Sequence, residues 1–179
     1  DTITVEDQST AAWNLSNTNL CPVLNASGDT LYLGVPGYDR TINNQLHQCA
    51  GKVDIYSYNG TTWDKSLYPI LMADQVPTNF DFTCFGIMVK VNQVEDKLFV
   101  TTFSTGNQNY CTTYIFQKDE AGEWIQIRFF GRATGLKHSP KIAIDQRGYV
   151  LIHGLPFIEM SAEGTTEVFR NRDDNWSGT

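Results

Sequence analysis

Several things are scarce in this sequence, and each scarcity removes a class of function. No stretch approaches the roughly 18 consecutive apolar residues of a membrane-spanning helix, so membrane insertion is not expected. Positive charge is short: 13 Lys and Arg stand against 20 Asp and Glu, a formal net charge of −7. Nucleic acid and anionic membrane surfaces both select a basic footprint, and neither is expected as a partner. The three histidines, His47, His138 and His153, lack partners at ligand or triad spacing and read as structural. The four cysteines, Cys21, Cys49, Cys84 and Cys111, form no CxxC or Cys/His pairing of the kind zinc needs. With no glycine-rich phosphate loop or nucleophile elbow either, no metal, no cofactor and no catalytic residue is expected. A sustained 3.6-residue apolar period is absent, so helix should be scarce. "DTITVEDQST" lacks an initiator Met and the regions of a signal peptide, which reads as a processed or excised N-terminus.

What is present describes a globular chain: 41% of the 179 residues are apolar and 18% are charged. Four Asn-x-Ser/Thr sequons, at Asn14, Asn25, Asn59 and Asn175, accompany the even cysteine count. Together they favour a secreted or cell- or virion-surface setting with glycosylation and disulfides. The alternative is chance in a chain rich in Asn, Ser and Thr. Asn59 is the best acceptor, because its Asn-Gly turn must be exposed.

The chain also repeats itself. "GKVDIYSYNGTTW" from Gly51, "CTTYIFQKDEAGEW" from Cys111 and "GTTEVFRNRDDNW" from Gly164 place a Trp 12, 13 and 12 residues after the anchor. Before each comes a polar turn with a short apolar strand, "GDTLYLGVPG", "EDKLFVTTFS" or "QRGYVLIHGL". Earlier still lies "CPVLNAS", "FGIMVKVN" or "SPKIAIDQ", and a fourth segment follows each Trp. Each unit is four short strands joined by turns. The Trp spacings of 61 and 52 residues exceed a solenoid rung and suit propeller blades with loop insertions. The expected fold is all-β, a β-propeller segment of about three four-stranded antiparallel blades. An arm covers 1–19, with blades at 20–75, 76–133 and 134–179, the last lacking a proper outer strand because only three residues follow Trp176. Tyr56, Phe116, Phe169, Trp63, Trp124 and Trp176 are read as core between blades.

On these residues the chain resembles the FG-GAP repeats of integrin-alpha-like β-propellers. Phe85 and Gly86 match the name pair, while Gly34, Pro36 and Gly51 match the "GAP" turn and the glycine before the third strand. The resemblance covers about residues 20–179 and weakens along the chain, with "VTTF" in the second unit and Ser139-Pro140 in the third. The family's calcium loops are missing, since "NASGDT", "NQVEDK" and "DQRG" lack the Asp-x-Asp-x-Asp-Gly spacing. The segments "GDTLY", "SPKI" and "GYVLI" are more weakly similar to the attachment-glycoprotein heads of paramyxoviruses. Both resemblances imply a non-catalytic module that recognises a protein or a glycan, the second as a fragment of a viral receptor-binding head. A propeller glycosidase is the enzyme alternative: "DEAGEW" and "RDDNW" are similar to sialidase Asp-box turns, but of six arginines considered only Arg40 sits in a loop that could reach a central site.

A binding surface is expected on the long loops between second and third strands, at 36–50, 103–111 and 154–164. Tyr38, Arg40, Tyr110, Phe157 and Ile158 are the candidates, being of types enriched in interfaces. For Phe157 and Ile158 the equal alternative is that they tuck under their own loop. Blade geometry predicts one disulfide in each of the first two blades, Cys21 with Cys49 and Cys84 with Cys111. Three blades make an open wedge with two uncovered sheet faces, so further copies or a companion chain are expected to close the ring, with residues 1–5 pairing at a sheet edge.

Overall fold

The computed structural model describes residue 3 and residues 21–42, 44–71, 84–104, 110–133, 141–155, 165–172 and 175–178. These residues are all-β, with no helix among them and four antiparallel sheets. Sheet I opens with β1 (Cys21–Leu24) and β2 (Thr30–Val35). The loop that follows carries a small hairpin of its own, β3 (Arg40–Ile42) and β4 (Gln45–His47). Sheet I then resumes with β5 (Lys52–Tyr58) and β6 (Trp63–Lys65), in the order β1-β2-β5-β6. Sheet II is a meander of β7 (Met88–Val91), β8 (Lys97–Ser104), β9 (Tyr110–Lys118) and β10 (Trp124–Ala133). Sheet III repeats it with β11 (Lys141–Ile144), β12 (Val150–Leu155), β13 (Thr165–Arg172) and β14 (Asn175–Gly178).

The first turn of each sheet is closed by one side chain at one place. Asn25 Oδ1 accepts from the amides of Gly28, Asp29 and Thr30, Asn92 Oδ1 from Asp96 and Lys97, and Asp145 Oδ1 from Tyr149 and Val150. A short Asx side chain satisfies backbone donors that a tight turn would otherwise leave orphaned.

Burial explains the unbroken apolar run Leu98-Phe99-Val100 in β8. Leu98 and Val100 face sheet I, joining Tyr32, Val53, Ile70, Phe85, Val89 and Phe116. Phe99 faces the other way, joining Ile115, Ile142, Leu151 and Trp176 towards sheet III. A strand covered on both faces loses polar alternation, and Leu98, Phe99 and Val100 are each 0% exposed. The first strands of the three sheets, β1, β7 and β11, lie side by side, β7 between the other two.

Sheets I and II meet through glycine. Gly51 has φ +79° and forms a parallel bridge with Phe85, whose carbonyl a Cβ at 51 would overlap; a Cβ at Gly34 would overlap the Gly86 carbonyl. The motif glycines thus permit backbone-to-backbone contact.

Three expectations are corrected. Sheet III does have its outer strand: β14 pairs with β13 from Phe169↔Gly178 to Arg172↔Asn175. Its Trp lies one residue inside the strand, whereas Trp63 and Trp124 open theirs, so a four-residue ladder fits. Neither expected pairing, Cys21 with Cys49 or Cys84 with Cys111, is brought to disulfide distance. Cys21 Sγ points at the Val89 carbonyl at 3.8 Å, Cys111 is buried with Phe103, and the cysteine beside Cys84 is Cys49. Finally, the outer face of sheet I is not open. Leu33, Val35 and Tyr56 are buried there, with Ile3, Leu31, Tyr38 and Trp63 packed on them. Ile3 therefore lies over a sheet face; the other residues of 1–5 lie outside the described residues.

Candidate functional site

Between sheets I and II the structure forms a groove of about 360 Å³. Thr30, Ile55 and Ser57 line one wall, Phe116, Lys118 and Trp124 the other, and the segment after β6 brings in Ser66, Tyr68 and Ile70. Strand alternation builds it, since Tyr32 and Ile55 are register partners facing sheet II, while Phe116 of β9 faces sheet I.

Glu95, at φ 57° in the first turn of sheet II, is the electrostatic centre. Its Oε1 accepts from the Tyr32 hydroxyl at 2.5 Å, and its Oε2 accepts from Asn25 Nδ2 at 2.8 Å. Lys118 Nζ stands 3.6 Å from Oε1 and 5.0 Å from the centre of the Trp124 ring. Burial, with Glu95 adding to it, pushes the Tyr32 hydroxyl well above the usual phenol range, so it stays a hydrogen-bond donor at any physiological pH. Asn25, which donates to Asp29 as well as to Glu95, holds the Asp29 carboxyl below its usual value. The carboxylate at the groove is therefore committed to joining two sheets. The groove still offers the Trp124 ring, the Tyr68 ring at 77% exposure, the carboxylate of Glu123 and the hydroxyl of Ser57. Aromatic rings beside a hydroxyl and a carboxylate suit a polyhydroxylated or peptide ligand.

Of the expected loop-face residues, Tyr38, Arg40 and Tyr110 lie among the described residues. Tyr38 is half-buried, its ring under Lys52 Nζ at 4.2 Å and its carbonyl accepting from the Gly51 amide at 2.9 Å. Lys52 in turn stands 3.4 Å from buried Asp54, which Lys65 approaches to 2.9 Å, so Tyr38 tops a buried ion network. Arg40 is half-buried in β3, and Tyr110 opens β9 by its backbone. Phe157 and Ile158 lie outside the described residues, as does Asn14.

Among the other sequons, Asn59 is exposed in its turn, where Oδ1 accepts from the Thr61 and Thr62 amides. Asn175 is a backbone partner of Arg172. Asn25 is 7% exposed with its amide nitrogen already donating to two carboxylates, so a glycan there would have to break the Glu95 contact. The groove itself was missed in the sequence. Its one signal was the recurrence of Asn at the same place in "NASGDT" and "NQVEDK".

No protein-family model, curated protein or solved structure matches the chain. The site's chemistry therefore rests on its own residues.

Proposed function

We propose that the chain is three consecutive blades of an extracellular β-propeller, a non-catalytic module for protein or glycan recognition and assembly. The observation that carries this reading is the repeated way in which each sheet meets the next. Asn25 of sheet I donates to Glu95 in the first turn of sheet II, and Asn92 of sheet II donates at 3.1 Å to the Arg147 carbonyl in the first turn of sheet III. The same position of the second strand is buried in both junctions, with Tyr32 at 1% and Phe99 at 0% exposure. Its counterpart in sheet III, Ile152, is 40% exposed, as expected of a face that a further sheet covers. Continuation of the stack past sheet III, by another chain, a second copy or a longer parent, is the reading that this face supports.

The ligand in this reading engages the groove between sheets I and II, at Tyr68 and Trp124. Glycan-array binding and pull-down with the purified chain test it. Loss of captured ligand on Tyr68→Ala is expected, with an unchanged far-ultraviolet circular-dichroism spectrum, since that ring is 77% exposed. Turnover of a fluorogenic sialoside by the wild-type chain would overturn the non-catalytic assignment.

A further inference from the structure

Cys49 ends the first long loop and Cys84 leads into sheet II, 35 residues later. The Cys84 amide donates to the Cys49 carbonyl at 2.7 Å, and the Phe85 amide to the Ala50 carbonyl at 3.2 Å. One such hydrogen bond plus standard bond lengths keeps two α-carbons within about 6.5 Å, inside the roughly 4.4–6.8 Å that a cystine spans. Both cysteines have left-handed backbone, φ 49° and 44°, and both are buried, at 1% and 5% exposure. Cys21 lies against Val89 on β7, and Cys111 lies with Phe103 and Ile87.

We propose that Cys49 and Cys84 form a cystine that staples the loop of sheet I to the entry of sheet II. The oxidant is a small-molecule or protein disulfide. One cysteine thiolate attacks it, forming a mixed disulfide and expelling one thiolate; the second cysteine then attacks the mixed disulfide and expels the other. Two protein thiols are oxidised, one external disulfide is reduced to two thiols, and the two cysteine protons go to the thiolates released. Once folded, the pair is inert, because burial and the neighbouring Cys49 push the Cys84 thiol up to about 12. The bond therefore forms while the chain folds and is shielded afterwards. This holds whether or not the three sheets belong to a propeller.

The test is to refold the reduced, denatured chain with glutathione disulfide, block remaining thiols in denaturant with an alkylating agent, and map peptides without reduction. A Cys49–Cys84 linked peptide is expected, with Cys21 and Cys111 alkylated. Four alkylated cysteines, or a Cys21–Cys49 or Cys84–Cys111 link, would overturn the proposal. As a second measurement, reductant should lower the melting temperature of the oxidised wild type and leave Cys49→Ala unchanged. A reductant-insensitive wild type would also overturn it.

Discussion

At the residue scale, two glycines with similar dihedral angles separate space from conformation. Gly51 and Gly122 have φ of +79° and +83°, yet a Cβ at Gly51 would strike the Phe85 backbone while one at Gly122 meets nothing within 4 Å. Gly122→Ala should cost only the left-handed penalty, about 1 kcal/mol. Gly51→Ala adds an overlap that neither backbone can relieve without parting the sheets, and should cost about 3 kcal/mol or more. Urea midpoints of the two variants check the difference, and equal midpoints would show that the sheets do not meet there.

Among the described residues, His153 is one whose protonation should matter to stability. It is 1% exposed, and burial lowers its pKa, outweighing Glu167 at 3.9 Å, which pulls the other way. The unfolded chain protonates this imidazole near pH 6.5, the native chain only at lower pH. Because the unfolded state then binds more protons, the neutral histidine's contribution is complete above about pH 7 and is lost as pH falls below about 6.5, down to the native pKa. Denaturant unfolding of the wild type should weaken from pH 7 to pH 5 over that window, and His153→Gln should flatten the profile.

At the element scale, the repeated Trp differs in burial between sheet III and sheet I. Trp176 is 4% exposed and packs edge-on against Phe99 and Phe130, with centroids 6.0 Å away in each case. Trp63 is half-buried beside Tyr58, itself 41% exposed. Trp176→Ala should therefore cost about 3–5 kcal/mol and Trp63→Ala markedly less, measured by thermal unfolding. This contrast also marks what could be read beforehand. Period-two alternation and turn residues identified the four strands around Tyr32 and Phe99, since both are local signals. They set Trp176 at the start of its strand, as in the first two units, whereas β14 begins at Asn175, so this short strand was missed. The Cys49–Cys84 proximity and the Glu95 hub were equally hidden, because both join residues of different sheets and depend on how the sheets pack.

At the scale of the whole molecule, the two outer faces differ. The face of sheet I holds the buried residues Leu33, Val35 and Tyr56, with Ile3 packed against them. The face of sheet III presents Ile152, with Ala143 and Val168 as register partners, and exposed Lys141 and Arg170 along the same strands. If a further sheet covers this face as sheet II covers that of sheet I, the partner brings apolar side chains with an acidic rim, and association weakens with salt. Ile152→Asp should leave the chain folded, within about 0.5 kcal/mol of wild type, since the side chain is 40% exposed without a partner. The equivalent change Phe99→Asp should unfold it, because that side chain is 0% exposed between sheets II and III. Light scattering across a concentration series separates the outcomes. A mass that rises with concentration in the wild type and stays at one chain in Ile152→Asp is expected for assembly through sheet III. A wild-type mass of one chain throughout, in the presence of any companion chain that co-purifies, would mean that this face is simply the end of the stack.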